Sequence, residues 1–576
     1  MNYAQPPQTS AQIALPAWRS RLLFVLILLG MGGLLVRGVY LQGIHNDFLQ
    51  QKGDARYGRV VEIPAHRGMI TDRNGEPLAV STPVESVWVS PSDVEATPSQ
   101  TRQLARIVGL GEAEIKSRIF DTSREFVYLK RQLPPEQAQQ VALMGMPGVS
   151  LQREYRRYYP GGEVTSHLLG FTDVDDNGRE GIEFALQARL GGRAGSQQVI
   201  KDRRGHIVED VASLRAPKEG SDVALSIDSK IQFLAYREIK QAVEQHNAKA
   251  GSIVVLDARS GEVLALVNWP TYNPNNRSKP SLNLMRNRAV TDLFEPGSTM
   301  KPFTAAAVLE AGKFTSNTLI NTENGVYTVG GRKIHDTHPE HMLTVAQVIQ
   351  KSSNVGAAKM ALSLPPQTFW HSLSESGFGA QTGSEFPGEA IGKLRDFKTW
   401  HPIEQATMSY GNGISVNLLQ LARAYTTFAN DGELKPITLL KQEVPAVGVR
   451  VYSETTARAV RDMLELVVQP GGTAPLAQVA GYRVAGKTGT AHKLQNGRYV
   501  DRYVSSFVGM APASNPRLIV AVMVDEPSGR DYYGGLVAAP AFSSVMGAAL
   551  RSLDVPYDAP LNNVLQAPVE VIGEDV

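Results

Sequence analysis

Phe294-Glu295-Pro296-Gly297-Ser298-Thr299-Met300-Lys301-Pro302-Phe303 is the stretch on which the fold and chemistry of this chain turn. Pro296 and Gly297 are turn formers, and the apolar, Ala-rich run from Thr304 to Ala311 ends at Gly312, a helix stop. The pattern predicts a helix with Ser298 at its start, where Pro302 is tolerated near the first turn. Residues three apart share a helix face, so Lys301 is within reach of the Ser298 hydroxyl. A serine hydroxyl is a poor nucleophile until a base takes its proton, and a buried neutral amine is such a base. Backbone N–H groups at a helix N-terminus also suit a developing oxyanion. Taken alone, the same residues equally describe a serine capping a helix beside a solvated lysine.

Two later motifs tip that balance. Leu343 to Lys351 has the pattern of an amphipathic helix and ends in Ser352-Ser353-Asn354. Ser352 there could relay a proton to a leaving amine, and the Asn354 amide could bind a substrate amide. Val484-Ala485-Gly486 then leads into Lys487-Thr488-Gly489-Thr490, the opening of a strand-like stretch. An edge strand at that point could pair with an extended peptide through its backbone. Lys487 would add positive charge, and the Thr488 and Thr490 hydroxyls could hold a terminal carboxylate. The bland alternatives are a Ser/Asn-rich helix terminus and an edge strand blunted by lysine. All three motifs in this order, each in the context it needs, leave those alternatives little room.

The series S-x-x-K, S-x-N, K-T-G resembles that of the penicillin-recognising acyl-serine enzymes. Across nearly its whole length the chain is similar to class B penicillin-binding proteins, and most to those of the division type, called penicillin-binding protein 3. Arg67 to Gly75, Tyr158-Tyr159-Pro160, Gly170 to Asp173 with Gly181-Ile182-Glu183, and Tyr532-Tyr533-Gly534-Gly535 extend the resemblance. It departs at Asn412, where division enzymes often carry an aromatic, and at Thr488, where some relatives have Ser. The resemblance implies a peptidoglycan D,D-transpeptidase in which Ser298 attacks the D-Ala-D-Ala carbonyl of a stem pentapeptide, with Lys301 as base. Ser352 and Lys487 would assist proton transfer to the departing D-Ala. Backbone N–H groups of Ser298 and Thr490 would form the oxyanion hole. Asn354, Thr488, Gly489 and Thr490 would contact substrate, and Tyr410, Tyr532 and Tyr533 would wall the pocket. An amine of an acceptor stem would resolve the acyl-enzyme, β-lactams would trap Ser298, and no cofactor or metal would be needed. The implied partners are a polytopic glycosyltransferase and other division proteins. The rival readings are a D,D-carboxypeptidase or β-lactamase, in which water resolves the ester, and a β-lactam sensor or scaffold with dispensable catalysis. A secreted hydrolase needs no long tethered module, and a sensor needs a signalling domain that some 21 residues are too few to fold.

The chain has 576 residues, 42% hydrophobic and 20% charged, with net charge +2 and no cysteine. These values fit a folded body, give no basis for nucleic-acid binding, and remove disulfides and thiolate chemistry. Leu22 to Leu41 is apolar and long enough to span a bilayer. Arg37 lies near one end, where it can snorkel, and Arg19 and Arg21 flank the other. No small-residue cleavage site follows. The expectation is an uncleaved anchor at 22–41 in the bacterial inner membrane, with 1–21 cytoplasmic and the rest periplasmic. The predicted fold class is α+β and multidomain. It comprises an elongated mixed pedestal of the dimerisation type at 42–220, a transpeptidase fold at 221–553, and a loose tail at 554–576. Within the transpeptidase fold, a helix at 229–242 is followed by a hairpin of 252–256 with 263–267. Late strands at 505–510 and 518–524 and a helix at 541–553 complete an antiparallel sheet flanked by helices, beside an all-helical region.

Other constellations carry less. Asp173 to Gly178 begins like a calcium loop, but Phe184 stands where the bidentate Glu is needed. His335, His338 and His341, with Asp336 and Glu340, lack a helical i, i+4 pair and are interrupted by Pro339, so a solvated loop is the better expectation than zinc. Arg153, Arg156, Arg157, Lys201, Arg203 and Arg204 are expected to pair with nearby carboxylates. No glutamate occupies a recognisable water-activating motif, although folding could bring Glu389 or Glu404 near the site.

Overall fold

The computed structural model describes residues 16–44, 58–201, 207–276, 281–495 and 497–564. Helix α1 (Ala17–Val39) continues into a π-helical turn at Tyr40–Ile44 and contains most of the expected span. It is the single helix among the described residues long and apolar enough to cross a membrane, and none of that segment is buried in protein.

The described residues divide into two compact units that do not follow the chain linearly, with α1 in the first. The first unit gathers the described residues up to Pro64, those of Val84–Glu154 and those of Ala194–Lys218. It holds an antiparallel sheet of Gly58–Ile63, Gly195–Lys201 and Ile207–Arg215. The same unit holds the helices Pro98–Val108, Glu112–Ile119 and Pro135–Leu143, the first two packing on the strand Val127–Leu133. The first opens on a capping box in which Thr97 and Gln100 satisfy each other's backbone N–H, and it ends at Gly109 in the left-handed region. Leu104, Ile115, Ile119 and Leu129 fill the core.

The second unit gathers Ala65–Pro83, Tyr155–Arg193 and the chain from Glu219 onward. Arg67 and Arg157 each donate to the fully buried Glu183 at 2.7 Å, so these pieces are tied together by a desolvated ion-pair network. Arg67 also donates to the Asp176 carbonyl. Burial pushes the Asp176 carboxyl up to about 6.

The centre of this unit is an antiparallel sheet of β1 (Ala250–Asp257), β2 (Val263–Trp269), β3 (Ala485–Gln495), β4 (Arg498–Ala511) and β5 (Leu518–Asp525). Its order is β2-β1-β5-β4-β3. Every residue of β1 and β5 is buried. Their sequences are accordingly continuous apolar runs rather than alternating ones, because helices cover both faces. Helix α2 (Ser229–Gln245), capped by the Asp228 carboxylate, packs on β2 and β1 and against the late helix Ala539–Ser552. Strand β3 pairs with β4 on one side (Lys487 with Val508, Thr490 with Ser505), and its other edge is open within the sheet.

The sequence expectation of a loose tail from Asp554 fails for its described part. Asp558 accepts the Arg483 N–H and the Ser514 hydroxyl at 2.7 Å each, and Asn563 accepts the Gly481 N–H at 3.0 Å. Tyr557 packs on Tyr482. These polar residues look like linker in one dimension, yet each caps a backbone group that the end of the sheet leaves unpaired. Residues 565–576 lie outside the described residues.

Candidate active site

Gly297–Met300 forms a 3-10 turn, and the α-helix α3 (Lys301–Glu310) begins only at the lysine. This refines the sequence expectation, which put Ser298 at the start of an α-helix. In a 3-10 turn residues three apart eclipse, which draws Lys301 under Ser298 more tightly than α geometry would. Gly297 adopts φ +56°, and a Cβ on the neighbouring Gly411 would come within 2.2 Å of the Gly297 carbonyl, so only glycines allow this approach. Thr299 donates to Pro296 O at 2.7 Å, and Tyr425 donates to Thr299 O at 2.9 Å. Ser298 and Lys301 are both buried.

Lys301 Nζ lies 2.8 Å from Ser298 Oγ and 3.0 Å from Ser352 Oγ, and it also meets the Ser352 carbonyl. Ser352 ends helix α4 (Val345–Lys351), which starts two residues later than the pattern suggests. Met342–Thr344 pairs instead as a strand with Leu319–Asn321, and Thr344 caps the helix. Ser352 holds a left-handed backbone (φ +61°, ψ +38°), a strained state for a serine costing about 1–3 kcal/mol. That strain turns both its hydroxyl and its carbonyl toward Lys301. Asp336 stabilises the turn. It accepts the Ser353 hydroxyl at 2.5 Å and the Val355 N–H at 2.9 Å, at the start of helix α5 (Asn354–Leu362). Asn354 donates to His335 O at 3.2 Å.

Asp336 is a positioning residue that sequence reasoning missed, because it appeared only within the His335/His338/His341 cluster. Replacing it with alanine orphans the Ser353 hydroxyl and one N–H. The expected cost is about 1–3 kcal/mol and a roughly 10- to 100-fold slower acylation of Ser298, with Asp336→Asn retaining part of the rate. Melting temperature and the rate of β-lactam labelling measure the two effects separately.

The third motif lies on the open-edged strand. Lys487, Thr488 and Thr490 are buried. Lys487 Nζ donates to Thr488 Oγ1 at 3.0 Å, and Thr488 shares a 2.7 Å hydrogen bond with Thr473, another residue with no motif to announce it. A Cβ at Gly489 would meet Pro296 O at 2.8 Å, which is why β3 can press against the serine turn. Thr490 Oγ1 accepts the Gly534 N–H at 3.0 Å, tying the strand to the segment after Tyr532 and Tyr533. Both tyrosines are half-buried, and Tyr532 stacks on Tyr503 at 4.2 Å. Tyr410 is half-buried and packs against the helical core.

Other expectations resolve as follows. Glu389 is engaged by Thr382 and Ser384, and Glu404 by the His401 N–H and Arg395. Asp173 accepts the Asp175 and Asn177 N–H groups and pairs with Arg179, as a polar turn does. Arg157 pairs with Glu183, and Arg153 lies 4.0 Å from Glu85. Arg203 and Arg204 lie outside the described residues. Among the described residues no three His, Asp or Glu side chains gather as a metal ion would require.

One carboxylate close to the serine also escaped the sequence analysis. Glu295 is half-buried and accepts the Gly413 N–H at 2.8 Å and the Tyr499 hydroxyl at 3.0 Å. Burial raises its pKa against those two hydrogen bonds. It lines a cavity of about 470 Å³ bounded also by Phe294, Gly413, Ile414 and the β3 residues Ala491 to Leu494.

The chain matches two family models, the penicillin-binding protein transpeptidase domain over residues 251–547 and the penicillin-binding protein dimerisation domain over residues 62–225. It is 44% identical to the probable peptidoglycan D,D-transpeptidase PenA of Neisseria gonorrhoeae, over 94% of either chain. It is 42% identical to the peptidoglycan D,D-transpeptidase FtsI of Escherichia coli, over 94% of this chain and 93% of that one. Among solved structures it is similar to the apo transpeptidase domain of penicillin-binding protein 3 from Burkholderia pseudomallei. That match has a TM-score of 0.55 and 51% identity, covering 58% of this chain and 98% of the other.

Proposed function

This chain belongs to the penicillin-binding proteins that join a dimerisation domain to a transpeptidase domain, and from that premise we propose how its residues carry out the reaction. It is a serine-type peptidoglycan D,D-transpeptidase of the FtsI kind, a role that brings septal wall synthesis and β-lactam sensitivity with it. The observation that carries the assignment of roles is the contact of Lys301 Nζ with both Ser298 Oγ and Ser352 Oγ beside an open strand edge.

A neutral lysine amine has two N–H donors and one lone pair. With Lys301 in its neutral form, Ser352 O and Ser352 Oγ would accept its two N–H groups, leaving its lone pair for the Ser298 hydroxyl 2.8 Å away. As Ser298 Oγ attacks the carbonyl of the penultimate D-Ala, its proton passes to Lys301. The backbone N–H groups of Ser298 and Thr490 receive the oxyanion. Collapse of the tetrahedral adduct breaks the peptide bond, and Ser352, assisted by Lys487, delivers a proton to the departing D-Ala amine. Asn354, Thr488 and Gly489 align the donor, whose terminal carboxylate sits at Lys487 and Thr488. Tyr410, Tyr532 and Tyr533 wall the cleft. An acceptor amine then attacks the ester and returns Ser298.

We assign 22–41 as the membrane span, 1–21 to the cytoplasm, 42–220 to the non-catalytic module, 221–553 to the catalytic region and 554–576 to the tail. The periplasmic side holds everything after the span, and a polytopic glycosyltransferase is the partner that supplies glycan to be cross-linked.

Transfer is separated from hydrolysis by the fate of the ester. The acyl-enzyme formed from a thioester donor is expected to release acid slowly. A D-amino acid acceptor at millimolar concentration should raise turnover about tenfold or more, with the new amide visible by mass spectrometry. Rapid release to water that ignores the acceptor would establish a hydrolase.

A further inference from the structure

The loop that carries Tyr532 and Tyr533 leaves β5 through a strained residue. Glu526 directly follows the strand and has φ +51°, in the left-handed region. A residue other than glycine stays there only where its surroundings hold it. The Glu526 carboxylate accepts Lys249 Nζ at 2.8 Å, Lys493 Nζ at 2.7 Å and an Arg502 guanidinium N–H at 2.9 Å. Its own N–H donates to Tyr503 O at 2.9 Å. Lys493 belongs to β3, Arg502 to β4, and Lys249 directly precedes β1, so one side chain ties these strands to the start of the loop.

The pairs are unequal. Lys249 and Arg502 are largely exposed, and such ion pairs contribute little. The Lys493 pair matters most, with its carboxylate 12% exposed and its ammonium 21%. The register of β3 on β4 shifts between His492 and Lys493, a bulge of the kind that re-aims a side chain, and Lys493 meets both Asp525 and Glu526. Burial would raise the Glu526 carboxyl, but the hydrogen bonds from Lys249 and Lys493 hold it down to about 2, so the clamp is charged at neutral pH.

The far end of the loop returns to the same strands. The Ser505 hydroxyl donates to Tyr532 O at 2.5 Å. The rings of Tyr533, Tyr532, Tyr503 and His492 form a row with successive centroids 4.5, 4.2 and 4.7 Å apart. Tyr503 follows Arg502 and His492 precedes Lys493, so the ring row and the ion pairs share a footing on β3 and β4. We propose that Glu526 is a positioning residue for acylation: its ion pairs fix the ring row, and the ring row sets how tightly the cleft holds an acyl donor before Ser298 attacks. The proposal deepens the reading above, in which Tyr532 and Tyr533 wall that cleft, and it rests on that reading.

The test uses the full-length protein in detergent and the chromogenic cephalosporin nitrocefin. Stopped-flow acylation separates the dissociation constant from the rate at saturation. Glu526→Gln should raise the dissociation constant about tenfold and leave the rate at saturation within about twofold, because Ser298, Lys301 and Ser352 are untouched. Glu526→Asp keeps the charge and should recover most of the affinity. In a Tyr532→Ala background, Glu526→Gln should add less than about twofold, since the two residues act through one element. Full additivity, a loss confined to the rate at saturation, or a fall in melting temperature alone overturns the proposal. Hydrogen exchange adds a readout that needs no substrate. Amides of residues 527–534 should exchange about tenfold or more faster in Glu526→Gln, with those of 299–303 unchanged. Unaltered loop exchange overturns the clamp. Faster loop exchange in a protein whose wild type does not acylate would support the clamp and count against the nucleophile reading instead. If Glu526→Gln does not fold, Lys493→Met removes the same pair from the β3 side, and the same outcomes decide.

Discussion

Ser298→Ala is expected to abolish covalent labelling by fluorescent penicillin, with acylation falling by about 10⁴-fold or more. The expectation follows from the geometry. Ser298 Oγ is the hydroxyl that Lys301 Nζ approaches at 2.8 Å on the turn that faces β3, and removing it leaves a binding groove without a nucleophile. The substitution deletes one buried oxygen from a turn held by Thr299 and Tyr425, so the melting temperature should stay within a few degrees of wild type. Mass spectrometry of peptides from the labelled wild type places the adduct. An adduct on Ser352 would reverse the roles given to the two serines.

Lys301→Met should lower acylation by roughly 10²- to 10⁴-fold while leaving reversible binding of the antibiotic largely intact. Methionine matches the length of the side chain but neither takes a proton nor bridges the two serines. The same change removes the contacts that hold the left-handed Ser352, so the serine turn and the end of helix α4 lose their common anchor. Stopped-flow acylation separates the rate from the dissociation constant. A variant that loses affinity and keeps the rate at saturation would show that Lys301 shapes the groove rather than the chemistry.

The three motifs were legible because each is local: a proline-glycine turn before an alanine-rich helix, a helix end, and a strand opening on a lysine. The hairpin of β1 with β2 and the late strands were equally clear from their unbroken apolar runs. What the sequence hid depends on distant partners. Met342–Thr344 continues a helical pattern but is claimed as strand by Leu319–Asn321. Asp558 and Asn563 look like linker until Arg483, Ser514 and Gly481 come up to meet them. Asp336 and Glu295 carry no motif, and their roles arise from backbone N–H groups and hydroxyls supplied by turns elsewhere in the chain. The segments around Arg67 and Glu183 read as part of a separate module, yet they pack in the compact unit that contains the serine.

The open edge of β3 also limits how such an enzyme can escape its inhibitors. A strand edge recognises any extended amide backbone, so substrate and antibiotic draw on the same main-chain groups, which no point mutation can delete. Heritable discrimination must therefore arise at side chains around that edge: the tyrosines after β5, Asn412, the cavity of Glu295, or second-layer anchors such as Asp336. Each change there also touches the handling of the natural stem. Resistance in this architecture is expected to accumulate as many small, mutually compensating substitutions rather than as one decisive replacement.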